Sequence, residues 1–67
     1  MAKIQLNGKK LALKQTISIY QLLKKYKING KKVAIEINGR ILSKNNYKKK
    51  FIKDKDRIEI VQFIGGG

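Results

Sequence analysis

Polar and apolar positions alternate through Lys3-Ile4-Gln5-Leu6-Asn7, the period of a half-buried strand. Asn7-Gly8 follows, and because both residues tolerate positive φ the pair predicts a two-residue hairpin. Leu11 and Leu13 continue the alternation as a second strand. The period then changes. Ile19, Leu22, Leu23 and Tyr26 fall at i, i+3, i+4 and i+7, one apolar stripe along a helix. Ser18, with Gln21 three residues on, has the spacing of a capping box, and Ile17 and Leu22 stand at hydrophobic-staple spacing. Lys24, Lys25 and Lys27 lie off the stripe and suit the C-terminal end of the helix dipole. Asn29-Gly30 is expected to stop the helix.

Val33, Ile35 and Ile37 predict a third strand with those three residues facing the core. Asn38-Gly39 repeats the hairpin signal, and Arg40-Ile41-Leu42 returns as a short strand. Residues 43–50 are polar and basic, a loop or one helical turn around Asn45-Asn46-Tyr47. Asp54-Lys55-Asp56 reads as a turn, and Ile58 to Phe63 as the last strand. The order is ββαββ, a connector, then β: an α+β domain with a mixed sheet and one helix packed across it. In the last strand Ile58 and Ile60 belong with the core, which puts Val61 and Phe63 on the opposite face. They either form a docking patch or are covered by a short connector. With no proline, repeat or low-complexity linker, residues 1–64 read as one domain, followed by a flexible glycine tail at 65–67.

Composition narrows the function. A chain of 67 residues builds one core and has little left to enclose a substrate cavity of the usual ~300–1,000 Å³. It has no cysteine and no histidine, which excludes disulfides, thiolate metal sites, thiol nucleophiles and the side chain best suited to proton transfer near neutral pH. Its carboxylates are Glu36, Asp54, Asp56 and Glu59. Asp54 and Asp56 read as a lysine-rich surface turn rather than a catalytic pair. The expectation is a protein that is not an enzyme and holds no metal or cofactor. No apolar run approaches the ~20 residues that span a bilayer. Gln5 and Asn7 interrupt any signal-peptide pattern. The chain reads as cytoplasmic, with the plastid stroma as the alternative. A formal net charge of +13 raises nucleic acid or an anionic membrane as a partner. However, every one of the 17 basic residues except Arg40 and Arg57 is lysine, they are scattered, and arginine is the better reader of bases and phosphates. The lysines read as a solvated surface.

The chain ends Ile64-Gly65-Gly66-Gly67, with half of its 6 glycines in the last three positions. Glycine adds no packing and has the greatest backbone freedom. A strand followed by glycines is a stiff base carrying a thread, and three extended residues reach ~10 Å. The thread can enter a narrow tunnel and present the Gly67 carboxylate to another protein's active site. That carboxylate, with an ordinary pKa of ~3.3–3.7, is ionised at neutral pH and can attack the α-phosphate of ATP. A sulfur or amine nucleophile can then resolve the acyl adenylate.

Four segments together resemble the ThiS family, the small sulfur carriers of thiamine biosynthesis with the ubiquitin-like β-grasp fold. They are Ile4-Gln5-Leu6-Asn7-Gly8, the run from Thr16 to Leu23, the run from Val33 to Gly39, and the ending from Asp56 to Gly66. The resemblance implies a mixed four- to five-stranded β-grasp sheet and a carrier rather than a catalyst. It implies that a ThiF-like adenylyltransferase adenylates Gly67 and that a cysteine desulfurase system supplies persulfide sulfur to leave a thiocarboxylate. A ThiG-like thiazole synthase would take up that sulfur. Gly67 is then the modified residue, Gly66 and Gly65 complete the thread, and Val61, Phe63 and Ile64 are the candidate docking residues. The free chain is expected to be a monomer. The alternatives are a molybdopterin-synthase small-subunit-like sulfur carrier and a basic RNA-binding β-grasp module using its lysines and aromatic side chains, of which Tyr26 and Phe51 are expected to be taken up by the core.

Overall fold

The computed structural model describes residues 1–62. The strands are β1 (Ala2–Leu6), β2 (Lys9–Leu13), β3 (Val33–Ile37), β4 (Arg40–Leu42) and β5 (Arg57–Gln62), and the helix α1 is Ile19–Lys25. Short 3-10 turns occupy Gly30–Lys32 and Lys44–Asn46. The five strands form one mixed sheet in the order β2-β1-β5-β3-β4, with β5 parallel to β1 and antiparallel to β3. Both Asn-Gly pairs form the expected hairpins, joining β1 to β2 and β3 to β4. Their four residues all have positive φ, from 50° at Asn7 to 85° at Gly39.

The core fills one face of this sheet. Ile4, Leu13, Val33, Ile35, Ile37 and Ile58 from the strands meet Ile19, Leu22 and Leu23 from the helix. Each such side chain contributes about 1.5–3 kcal/mol of burial. The helix starts as its sequence dictates. The Ser18 hydroxyl accepts the Gln21 amide at 3.1 Å and Gln21 Oε1 accepts the Ser18 amide at 2.8 Å. The remaining first-turn amides are taken up by the connector between β4 and β5, with Ile19 donating to the Lys50 carbonyl and Tyr20 to the Tyr47 carbonyl, both at 2.9 Å. The Ile52 amide in turn donates to the Ile17 carbonyl at 2.9 Å. The connector is therefore bonded to the helix end, and it contributes Tyr47 and Ile52 to the core. Burial pushes the Tyr47 phenol up from its ordinary pKa.

Three expectations are corrected. The helix ends at Lys25 with Tyr26 as its C-cap, ahead of Asn29-Gly30. Lys27 takes a left-handed φ of 56° and its amide donates to the Lys24 carbonyl, while the Ile28 amide donates to the Leu23 carbonyl at 2.9 Å. This is the paired bonding of a Schellman motif, with lysine in the place glycine usually holds. Asn29 instead caps the following 3-10 turn. Tyr26, read as the fourth residue of the helical stripe, is the C-cap and is 42% exposed. Ile28, brought round by the left-handed turn, packs against the core instead. Phe51 is not a core residue either, being 48% exposed, because the neighbouring Ile52 points inward. Among the described residues no helix is long and apolar enough to cross a membrane.

Candidate functional site

β5 is the central strand and leads into the glycine tail, so whatever holds β5 fixes where that tail starts. Backbone pairing with β1 covers only Gln5↔Arg57 and Leu6↔Ile58. Asn7 extends it. Its backbone amide donates to the Ile58 carbonyl at 2.9 Å. Its Oδ1 accepts the Ile60 amide at 2.7 Å and its Nδ2 donates to the Ile60 carbonyl at 3.3 Å. One side-chain amide thus replaces the next backbone unit of β1 after the chain has turned away. Asn38 grips the start of β5. It donates its backbone amide to the Arg57 carbonyl at 2.8 Å, accepts the Arg57 amide on Oδ1 at 2.8 Å and donates Nδ2 to Asp56 Oδ1 at 3.0 Å. Asp56 also accepts the Lys53 amide at 2.8 Å, which closes the turn before β5.

The turn signal in the sequence explains why asparagine tolerates these positions, but it gave no sign that both side chains would clasp β5. Asn7→Gly isolates the clasp, because glycine keeps the left-handed backbone. The variant is expected to lose about 1–2 kcal/mol of stability in urea denaturation. Its Ile60 amide should also exchange with solvent faster than that of Ile35, whose pairing is untouched.

The face of the sheet away from the helix is open. β3 alternates strictly between buried and half-buried residues, which leaves Ala34 and Glu36 on that face. Register places Val61 opposite Ala34, Glu59 opposite Glu36, and Glu36 opposite Ile41. Val61 is 52% exposed and Ile41 is 80% exposed, and no connector among the described residues covers Val61. Phe63, Ile64, Gly65, Gly66 and Gly67 lie outside the described residues. Ile41, Glu36 and Glu59 were not singled out from sequence. Their grouping follows from the position of β5 between β1 and β3, which no local pattern reveals.

Two of the exposed aromatic rings, Tyr20 and Tyr26, lie beside the chain's own lysines. The ammonium groups of Lys48 and Lys24 stand 4.8 and 5.5 Å from the centre of the Tyr20 ring, and that of Lys25 stands 5.9 Å from the Tyr26 ring. These rings are engaged by the chain's own cations. Among the described residues no group of three or more His, Cys, Asp or Glu side chains comes together.

A helix laid across a mixed five-stranded sheet, with the last strand at its centre, defines the ubiquitin-like β-grasp class. The structure superposes with a TM-score of 0.83 on the crystal structure of thiamine biosynthesis protein ThiS from Geobacter metallireducens, at 28% sequence identity and covering 97% of this chain and 99% of that one. The ThiS family model matches residues 3–67, and the chain belongs to the ThiS family. It is 43% identical over 65 residues to the sulfur carrier protein ThiS of Bacillus subtilis, covering 96% of this chain and 98% of that protein. It is also 35% identical over 65 residues to a thiazole synthase of Paramagnetospirillum magneticum, covering 97% of this chain but only 20% of that longer protein.

Proposed function

We propose that the chain is a sulfur carrier of thiamine biosynthesis whose reactive group is the Gly67 carboxylate. The observation that carries this reading is the match to the ThiS family over residues 3–67, which includes the three glycines. A ThiF-like adenylyltransferase binds the thread of Gly65, Gly66 and Gly67. The carboxylate attacks the α-phosphate of ATP and displaces pyrophosphate. A persulfide derived from a cysteine desulfurase attacks the resulting acyl carbon and displaces AMP. A second thiol then cleaves the sulfur–sulfur bond to leave a thiocarboxylate. That sulfur passes to a thiazole synthase. Support for this acceptor comes from the Paramagnetospirillum thiazole synthase, which carries a segment like this chain within its own polypeptide. The β-grasp domain contributes no acid, base or metal to these steps. It positions the thread, and Val61, Phe63 and Ile64 form the adjoining docking surface.

The test is intact-mass analysis of the chain after incubation with ATP, the adenylyltransferase and the sulfur source. The expected product has one C-terminal oxygen replaced by sulfur and supports thiazole formation when thiazole synthase and its substrates are added. An unchanged mass refutes the carrier reading. The sulfur-containing product combined with failure to support thiazole formation would favour the molybdopterin-synthase type of carrier instead.

A further inference from the structure

Asparagine is a thermolabile residue, above all before glycine, where no side chain screens the next backbone amide. The sequence holds three such pairs: Asn7-Gly8, Asn29-Gly30 and Asn38-Gly39. Each is preceded by leucine or isoleucine and followed by lysine or arginine, so local sequence gives no reason for one to react before another. The fold treats them differently. Asn7 has both ends of its side-chain amide engaged by Ile60, Oδ1 accepting at 2.7 Å and Nδ2 donating at 3.3 Å. Asn38 is held in the same way, by the Arg57 amide at 2.8 Å and by Asp56 Oδ1 at 3.0 Å. Asn29 is exposed. Its Oδ1 accepts the Lys31 amide at 2.9 Å, and its Nδ2 donates to nothing among the described residues. That one bond stays within the turn, whereas the bonds of Asn7 and Asn38 tie distant strands together.

We propose that Asn29 is the site at which the folded chain is deamidated by water, to aspartate or isoaspartate, and that Asn7 and Asn38 are shielded from the same reaction by the bonds with which they hold β5. Water is the only co-reactant. The Gly30 backbone nitrogen gives up its proton and attacks Cγ of Asn29. The Cγ–Nδ2 bond breaks, Nδ2 takes up a proton and leaves as ammonia, and a cyclic imide remains. Water then adds to one imide carbonyl. Breaking the bond from Cγ to the Gly30 nitrogen gives aspartate, and breaking the bond from the backbone carbonyl carbon gives isoaspartate. The attack needs the carboxamide to turn toward the following nitrogen. At Asn7 and Asn38 that rotation breaks two hydrogen bonds to the start or middle of β5, so it waits for local opening of the sheet. At Asn29 it breaks one bond within an exposed turn. The aspartate product suits its surroundings. Asn29 lines a groove of about 490 Å³ together with Lys24, Lys31, Lys44 and Lys48, and a carboxylate there gains nearby cations while still accepting the Lys31 amide. The change falls beside the C-terminal end of α1 and leaves β5 in its clasp.

The test incubates the full chain in warm, mildly alkaline buffer, folded and, in parallel, unfolded in urea. Trypsin places the three pairs on separate peptides, Ile4–Lys9, Ile28–Lys31 and Val33–Arg40. Mass spectrometry of each peptide over time reads the replacement of the side-chain NH2 by OH. In the folded chain Asn29 is expected to convert about tenfold or more faster than Asn7 or Asn38. In urea the three rates are expected to converge to within about threefold, because the bonds that distinguish them are gone. Hydrogen exchange at the Ile60 amide is expected to be the same before and after Asn29 has converted. Equal rates in the folded chain, or conversion of Asn7 or Asn38 ahead of Asn29, overturns the proposal. So does an Asn29 that converts in urea but not in the folded chain. The same ranking persisting in urea overturns it as well, since the order would then belong to the local sequence and not to the fold. Faster exchange at Ile60 after conversion would show that the change reaches β5, and overturns the sparing of that strand.

Discussion

Deletion of Gly67, or addition of a single residue after it, is expected to abolish ATP-dependent activation while leaving unfolding in urea unchanged. Adenylation needs a carboxylate oxygen in line with the α-phosphate, and an error of about 1 Å in placement is enough to cost on the order of 100-fold. Removing one residue withdraws the carboxylate by ~3.3–3.6 Å, and adding one pushes it past the phosphate by as much. Neither change touches the core, whose residues run from Ile4 to Ile58. The measurement is ATP–pyrophosphate exchange beside a urea titration monitored by circular dichroism. Retained exchange in either variant would contradict the role given to Gly67.

The second large effect falls on stability. Ile35 sits at the middle of β3, fully buried, with Leu42 of β4 and Ile60 of β5 as its register partners. Ile35→Ala removes its contacts and leaves a cavity beneath the helix, at a cost of about 2–5 kcal/mol. A domain of this length has roughly 3–10 kcal/mol in total, so a large part of the population is expected to be unfolded near 37 °C. Ile41→Ala provides the comparison. It makes the same chemical change at a position 80% exposed, and is expected to stay within about 0.5 kcal/mol of wild type. Equal losses in the two variants, measured by urea denaturation, would show that burial does not separate these two isoleucines.

Much of the fold was legible because its local signals agree with one another. The strand alternation around Val33, Ile35 and Ile37, the two Asn-Gly turns and the Ser18–Gln21 capping box each depend on neighbours within a few residues. What escaped depends on contacts made by distant parts of the chain. Tyr26 fits the helical stripe by spacing, yet the left-handed turn at Lys27 ends the helix there and gives its place to Ile28. Lysine carries no signal for such a turn, whereas glycine would have marked it. Phe51 and Ile52 are adjacent and both apolar, and only the bonding of the connector to Ile17 and Ser18 decides which of them turns inward. The functional surface divides in the same way. Val61 followed from alternation within one strand, whereas the meeting of Glu36 with Glu59 and Ile41 required knowing which strands are neighbours.

The place of β5 in the sheet bears on how the molecule comes into being. Before Arg57–Gln62 is in position, the β1–β2 and β3–β4 hairpins share no ladder, and nothing in the sheet joins the two halves. Pairing between β1 and β5 links residues more than 50 positions apart, as in the bond from Asn7 to Ile60 across 53. Such distant closure is slow to form. As a chain emerges from the ribosome its first strands must wait for Arg57–Gln62 before the sheet can close. The sheet is therefore completed at its centre last, and until then the two hairpins are separate units.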